Sequence, residues 1–472
     1  MTARGLAPSA EPYSPQRRTA LVLTGTGTAG AYHAGVLRAL HEAGVKLDVV
    51  AGRGIGVVGA LFAAVDGAQR LWDERGFWRA AAVGRLYPWR RVLQLSVWAV
   101  GVSVALVAVP LAAVVAGLIV FPIDFVLSMI GVTGAGGLLA DRYVAFAQAA
   151  FAPEALPTWL PRLAMLVLAA AAAIAAGAAG LERDRRRRRG RLWWRLVRAP
   201  LSAAPAVDHC WAVMWDLMRG AAPLKQPTPA DLGRRYTDML AENLGQPGFR
   251  ELMIVVHDLD ARRDLIFALV SETRRRDLVR RPTTEEAEAR RAELIDLSGV
   301  ARDRLADAVA AALTIPIATE PHTMAFAPEG YWRGEAHRLC DRPAGLARLL
   351  EELSAIGVEQ VVLVSAAPEP PGPHALAPPR LDGRGRLGEY LHSTEAAMVR
   401  DAAAHAGAGR ARIFAVRPAH NPIGPFDFSG GFDDRSDRRQ PLHELMNRGY
   451  ADAYHQFIEP VVGASGERVG QA

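Results

Sequence analysis

The sequence predicts an α/β fold in which a mostly parallel sheet, covered by helices on both faces, is interrupted by an inserted helical hairpin able to span a membrane. Short apolar strands alternate with amphipathic helices towards both ends of the chain, which is the pattern of a parallel sheet. Between those parts lie two uncharged stretches, residues 92–123 and 163–181. With 472 residues, half of them hydrophobic, the chain has room for one large domain or two ordinary ones.

The first strands of the sheet are predicted before the insertion. Residues 19–24 (TALVLT) form a short apolar strand, and a glycine loop then leads into an amphipathic helix over 31–44. Gly44 ends that helix. A second strand at 46–52 and a second helix at 57–72 follow, so two βα pairs precede the insertion.

The remainder of the sheet is predicted after the insertion. Apolar runs typical of buried strands occur at 251–259, 264–272, 359–367 and 411–418. Helices are predicted at 305–313 and from about 442 to 458, and the Pro- and Gly-rich stretch 367–386 is predicted to be a loop. The alternation therefore resumes as though the insertion had not occurred.

The two uncharged stretches predict membrane-spanning helices. A span needs about 20 apolar residues, so 92–123 is long enough with slack, whereas the Ala-rich run 163–181 only just suffices. Arginines precede the first stretch, and a basic run, 183–191, follows the second. Because basic residues stay on the cytoplasmic side, both outer ends of the hairpin, and with them the α/β part, are expected in the cytoplasm. The membrane is expected to be a bacterial inner membrane. A buried helical pair in a soluble protein is the alternative.

Five segments are expected along the chain. They are a flexible tail (1–18), the first part of the α/β domain (19–84), the membrane-associated insertion (85–200), the rest of the domain (201–462) and a second tail (463–472). The N-terminus has no apolar segment of signal-peptide type. Cys210 and Cys340 are the only cysteines, which predicts no disulfide framework or metal site and favours a reducing compartment.

The loop after the first strand carries six consecutive candidate pocket residues, Gly25, Thr26, Gly27, Thr28, Ala29 and Gly30. They match G-x-G-x-x-G, the dinucleotide-binding fingerprint. That fingerprint also requires an acidic residue at the far end of the second strand, where this chain has Gly52-Arg53-Gly54. A phosphate-binding P-loop is excluded, because Gly30 is followed by Ala-Tyr.

The stretch Gly52-Arg53-Gly54-Ile55-Gly56 has the glycines of a G-x-S-x-G nucleophile elbow. Taken with the glycine loop and the helix between them, it resembles the patatin-like phospholipases. The resemblance covers about 15–66 and resumes around 250–366. It implies a three-layer α/β sandwich and a lipid acyl hydrolase that uses a Ser–Asp dyad and a glycine-rich oxyanion loop.

Three departures from the family pattern fall on its chemical positions. Gly54 stands where the nucleophilic serine should be. If Tyr331-Trp332 is matched to the family's hydrophobic pair, Arg333 stands where the catalytic aspartate should be. The basic residue of the oxyanion loop is replaced by Ala29. Without a nucleophile the acyl group has no atom to which it can be attached, so the resemblance predicts a degenerate hydrolase.

Other groups that could carry chemistry have simpler explanations. His257-Asp258 at a strand end is expected to satisfy backbone groups, and Cys340 to be a small buried side chain. The acidic stretch 427–437 could hold a cation, but an exposed loop is the simpler interpretation.

The sequence thus favours a membrane-anchored patatin-like protein that binds a lipid or acyl ligand, or a protein partner, without Ser–Asp hydrolysis. Two alternatives stay open: an active lipid acyl hydrolase with a rearranged nucleophile, and a nucleotide-binding protein that uses the glycine loop. We expect no cofactor, no metal and no nucleic-acid partner.

Overall fold

The computed structural model describes residues 13–131, 133–181, 199–279, 293–373, 382–405 and 411–463. The chain forms two compact units. Unit 1 runs up to Pro88 and resumes at Leu201, and unit 2 is Trp89–Pro200. The insertion therefore begins four residues later than the predicted 85, because Leu86 and Tyr87 pack in the core of unit 1. The arginine run 183–191 and most of both predicted tails lie outside the described residues.

Both parts of unit 1 combine strands with helices, and the described part of unit 2 is helical. Before the insertion, unit 1 has β1 (Thr19–Thr24), α1 (Ala29–Glu42), β2 (Val49–Arg53), α2 (Gly56–Ala64) and α3 (Gln69–Trp72). Unit 2 has α4 (Arg91–Met129), α5 (Thr133–Ala150) and α6 (Leu156–Leu181). Unit 1 then continues with α7 (Ala204–Arg219), α8 (Pro229–Asn243), β3 (Glu251–Asp258), β4 (Arg263–Leu269), α9 (Glu272–Val279), β5 (Leu294–Asp296), α10 (Leu305–Ala312), β6 (His322–Ala325), β7 (Ala336–Cys340), α11 (Gly345–Ala355), β8 (Gln360–Ser365), α12 (Gly383–His405), β9 (Arg412–Val416), β10 (Gly431–Asp433), β11 (Arg438–Gln440) and α13 (Leu442–Ala453).

The main sheet has the strand order β5-β4-β3-β2-β1-β8-β9. Its pairs are parallel except β3–β4, and the hairpin of β6 and β7 adds to the end of β3 in antiparallel fashion. This confirms the prediction of a mostly parallel sheet. Because β1, β2, β3 and β8 run the same way, their carboxyl ends meet at one edge, the edge at which α/β sheets usually bind ligands.

Helices cover both faces of this sheet. Alternate residues of β1 face opposite sides: Leu21 and Leu23 belong to one core cluster, and Ala20 and Val22 to the other. All six residues of β1 are buried. A strand buried on both faces reads as a continuous apolar run, which is why TALVLT carries no polar alternation.

The described part of unit 2 contains two helices that are long and apolar enough to cross a membrane, judged by length and composition. They are α4, with 39 residues, and the stretch Leu156–Gly177 of α6. Within their most apolar windows only 6% and 11% of the residues are buried, so these helices differ from the buried core helix of a soluble domain. Most of their apolar side chains are therefore not covered by other described residues of the chain.

The insertion leaves unit 1 and returns to it at one place. The Ser202 amide donates a hydrogen bond to the Pro88 carbonyl at 3.0 Å, so the outgoing and returning chains lie side by side. The Leu201 amide donates to the Ala318 carbonyl at 2.8 Å, and the Tyr87 hydroxyl donates to the Leu313 carbonyl at 2.8 Å. The segment after α10 therefore lies next to the residues of unit 1 at which the chain leaves and returns.

Candidate functional site

The predicted elbow lies in the turn from the carboxyl end of β2 into α2. Gly54 has φ +56°, in the left-handed region, and α2 begins two residues later at Gly56. A Cβ added at Gly54 would lie 2.9 Å from Asp341 Oδ2 and closer still to the Gly25 carbonyl oxygen, nearer than real Cβ atoms approach. The position therefore suits glycine in both conformation and space.

Arg53, the residue before Gly54, is the centre of the site. Its side chain is completely buried. Its Nη1 donates to both carboxylate oxygens of Asp341, at 2.8 and 2.7 Å, and its Nη2 donates to Glu395. Its Nε donates to Thr24 Oγ1 at 2.9 Å, and that hydroxyl donates to Glu395 Oε1 at 2.6 Å. We call Thr24, Arg53, Asp341 and Glu395 the buried charge cluster.

Four separate elements supply the buried charge cluster. Thr24 ends β1 and Arg53 ends β2, and the register pairs Leu23 with Gly52, so the two side chains are neighbours at the edge of the sheet. Asp341 follows β7 directly, and Glu395 lies within α12. The cluster therefore ties the elbow to residues that are about 290 and 340 positions away in the chain.

Burial dominates the electrostatics of Asp341. Loss of solvation raises its pKa to about 6, against the opposing effect of the Arg53 guanidinium. The nearby Glu395 carboxylate raises the Asp341 pKa further. Both Asp341 oxygens already accept hydrogen bonds from Arg53, so this carboxylate is engaged by a cation rather than turned towards a substrate.

The structure corrects the position assigned to Arg333. The sequence match places Arg333 at the aspartate position, but Arg333 is exposed in the turn between β6 and β7. The group in contact range of Gly54 is Asp341, eight residues further on. The match fails because Tyr331 and Trp332 belong to a surface hairpin turn, and only the end of β7 returns the chain to the elbow.

The glycine loop is covered by the segment 421–428, which we call the strap. The Thr28 amide donates to the Pro425 carbonyl at 3.0 Å, and the Thr28 hydroxyl donates to the Gly424 carbonyl at 2.8 Å. Gly27 has φ +58°, and a Cβ there would collide with the Pro425 carbonyl oxygen. Neither Thr28 donor is therefore available to a ligand.

A second amide near the elbow is also occupied. In hydrolases that have a nucleophile elbow, the backbone amide of the residue after the nucleophile stabilises the developing oxyanion. Here that amide belongs to Ile55 and donates to the Gly25 carbonyl at 3.0 Å. The cavity left beside the glycine loop measures ≈ 10 Å³, about the space of one water molecule. Its lining is Gly25, Thr26, Ala29, Ala367, Leu391, His392 and Glu395.

A far larger cavity, ≈ 900 Å³, opens at the opposite edge of the sheet. It is lined by residues from the amino ends of the parallel strands, among them Arg18, Lys46 and Arg250. These three cations pair with Glu251, Asp48 and Asp66, respectively. This cavity is separate from the elbow and was not predicted from the sequence.

The other candidate groups have roles outside the buried charge cluster. His257 pairs with Asp264 at 2.7 Å instead of acting with Asp258. Asp258 accepts the amides of Asp260 and Ala261, as expected for a strand end. Burial raises the pKa of Cys340 to about 12, so its thiol stays protonated at neutral pH. Among the described residues, no group of three or more His, Cys, Asp or Glu side chains could hold a metal ion.

Replacing Arg53 by methionine should destabilise unit 1 strongly. The free energy of unfolding is expected to fall by about 3–5 kcal/mol, because Asp341 and Glu395 lose the cation that they surround. Denaturant titration of the full chain in detergent measures this loss. Arg400→Met is the matched control: its side chain is 60% exposed, so the change should stay within about 0.5 kcal/mol. Equal losses in both variants would contradict the assignment.

Replacing Gly54 by alanine should lower the melting temperature, because the new Cβ meets Asp341 and the Gly25 carbonyl at a left-handed backbone position. Gly84→Ala serves as the control, since an added Cβ there meets nothing within 4 Å. Thermal unfolding followed by circular dichroism compares the two variants. A Gly54→Ala protein as stable as Gly84→Ala would show that the elbow is not tightly packed.

Asp341→Asn should change how stability varies with pH. The pKa of Asp341 is about 6 in the fold, against about 3.9 for an unfolded aspartate, so the native state binds the extra proton between these values. Its stabilising contribution is therefore full below about pH 4 and is lost as pH rises through about 6. The advantage in stability of the wild-type chain over Asp341→Asn should shrink from pH 4 to pH 7. A difference that is constant or grows would refute the raised pKa.

Comparison with known proteins agrees with the resemblance over a limited stretch. A segment of 70 residues, 15% of this chain, is 44% identical to patatin-like phospholipase domain-containing protein 6 from Mus musculus, Pongo abelii and Homo sapiens. The match spans 5% of the length of those relatives. VipD from Legionella pneumophila aligns over 95% of this chain and 67% of its own, with 13% identity and a TM-score of 0.31. No family model matches the chain. The similarity thus supports a patatin-like relationship for a short part of the chain.

Proposed function

We propose that this chain is a membrane-anchored patatin-like protein that has lost ester hydrolysis and acts by binding at the membrane. One observation carries the proposal. At the tip of the elbow, Gly54 has no nucleophilic atom and no space for one, while Arg53 holds the adjacent Asp341 carboxylate. In this proposal the backbone turns that resemble a hydrolase site serve internal packing.

Acyl transfer requires a nucleophile, a base and hydrogen-bond donors for the oxyanion, and none of these is available at this elbow. Attack on an ester needs a nucleophile, and position 54 is glycine. Activation needs a base within hydrogen-bonding reach of the nucleophile, and the nearby Asp341 is bonded to Arg53. Stabilisation of an oxyanion needs free donors, and the Ile55 and Thr28 amides already donate to carbonyl oxygens within the chain.

The space around the elbow favours binding at the surface of unit 1. A cavity of ≈ 10 Å³ does not admit an acyl chain. Membrane lipid, or a protein partner held near the membrane, is therefore proposed to contact other surfaces of the α/β unit. The nucleotide alternative is disfavoured by the same geometry, because the Pro425 carbonyl stands against Gly27, where a pyrophosphate would have to approach.

The membrane part of the proposal is supported by α4 and α6. Both are apolar over the length of a span, and arginines precede the first of them. The chain is proposed to lie in a bacterial inner membrane, and the distribution of basic residues supports an orientation with unit 1 on the cytoplasmic side.

A direct assay tests the loss of hydrolysis. The purified full chain, in detergent and in phosphatidylcholine–phosphatidylglycerol vesicles, is incubated with an activated ester, with phospholipid and with a fluorophosphonate probe. We expect no burst of alcohol, no fatty-acid release above the vesicle blank and no labelled band. Gly54→Ser should remain unlabelled, because Asp341 stays bonded to Arg53. An active patatin-like enzyme validates the assay, and a covalent adduct on this chain would refute the proposal.

A further inference from the structure

The loop from Ile315 to Thr319, after α10, presents an exposed isoleucine on an unfavourable backbone. Ile317 has φ +68°, and its side chain is 78% exposed. The Ala318 amide donates to the Pro316 carbonyl at 2.7 Å, which closes a γ-turn around Ile317. A γ-turn with positive φ is rare and strained, and a β-branched residue is among the least suited to it.

The loop is held in this form by its own ends. Thr319 Oγ1 accepts a hydrogen bond from the Ile315 amide at 2.9 Å and donates to the Ile315 carbonyl at 3.1 Å. The Thr319 amide also donates to that carbonyl, at 3.0 Å. Ile315, Ala318 and Thr319 are buried, whereas Ile317 projects outwards. The structure thus displays one apolar side chain from a rigid base.

The position of the loop identifies what could cover Ile317. The Ala318 carbonyl accepts the Leu201 amide at 2.8 Å, and Leu201 is the first residue of unit 1 after the insertion. Pro88, the last residue before the insertion, accepts the Ser202 amide. From Pro88 the chain reaches the first residue of α4, Arg91, in three residues, at most roughly 10 Å of extended chain. The loop therefore lies beside the residues of unit 1 at which the chain leaves for the insertion and returns from it.

We propose that Ile317 inserts into the bilayer at the lipid headgroup boundary and that the Ile315–Thr319 loop is a membrane-contact element of unit 1. This inference rests on the proposed anchoring of the chain by α4 and α6. A lipid boundary lies within the reach set by the short connection to α4, and it covers an isolated apolar side chain without requiring a shaped partner surface. The strained turn is then explained as the means of directing the side chain away from the core.

Depth-dependent fluorescence quenching tests the inference on the full chain in nanodiscs of phosphatidylcholine and phosphatidylglycerol. Ile317→Cys is labelled with an environment-sensitive fluorophore, and the bilayer contains lipids brominated near the headgroup. Cys210 and Cys340 are both buried, and the unlabelled wild-type chain is processed in parallel to show that they do not react. We expect the label at position 317 to lose emission when brominated lipid replaces ordinary lipid.

Two further labelled positions make the result interpretable. Val300 is fully exposed and follows β5. Because β5 runs antiparallel to β3, its carboxyl end lies at the edge of the sheet opposite the elbow, so Val300→Cys should not be quenched. Leu111→Cys, within α4, reports on anchoring and should be quenched by lipids brominated deep in the acyl chain. Each variant is used only if its melting temperature matches that of the wild-type chain.

The outcomes separate the two proposals. Quenching at 317 and 111 but not at 300 supports the inference. Quenching at 111 alone refutes membrane contact by the loop while anchoring stands. Blue-shifted emission at 317 without quenching assigns the position to a protein contact and also refutes the lipid inference. Absence of quenching at 111 removes the anchoring, and the inference falls with it.

Discussion

The fully buried guanidinium of Arg53 constrains the centre of unit 1. Transferring Arg53, which ends β2, into the interior is favourable only because two carboxylates and a hydroxyl surround it. Those three groups come from the end of β1, the residue after β7 and the middle of α12. The position of each element is thus coupled to the other three. No member of the buried charge cluster can be replaced singly without stranding a charge or a polar atom in the core.

The buried charge cluster also gives the elbow a structural role that does not depend on any reaction. The strand-to-helix turn needs small residues at its tip and close packing against the neighbouring loop, and neither requirement involves chemistry. Once Arg53 binds Asp341 and the strap covers Thr28, the turn has a structural use. The Ile55 and Thr28 amides donate to carbonyl oxygens of the chain itself, those of Gly25 and Pro425.

Much of the fold could be predicted from the sequence because local patterns specify it. The apolar runs of β1, β3 and β8 and the turn at the elbow all have short-range signals, and the structure has them within a few residues of the predicted positions. The helix α12 was missed, because its first residues, Gly383-Arg384-Gly385, continue a glycine-rich stretch predicted to be a loop. Glu395, which lies on that helix, was missed with it.

The composition of the site was harder to predict than its location. The elbow and glycine loop follow from local sequence, whereas Asp341, Glu395 and the strap reach them only through long-range contacts. One signal was available: Arg53 is the only charged residue between Asp48 and Asp66. A single arginine inside an uncharged, buried stretch requires a buried carboxylate partner. The sequence match chose Arg333 instead because it followed an aromatic pair whose place in a surface turn is visible only in three dimensions.

The strand order has a consequence for synthesis of the chain. Strands β1 and β2 are made before the insertion, but their outer neighbours, β8 and β3, are encoded after it. While residues 89–200 are being translated, at roughly 5–20 residues per second, the nascent β1–β2 pair exposes two open edges for on the order of ten seconds. The order of the chain thus leaves both outer edges of β1 and β2 without their partners until β3 and β8 have been translated.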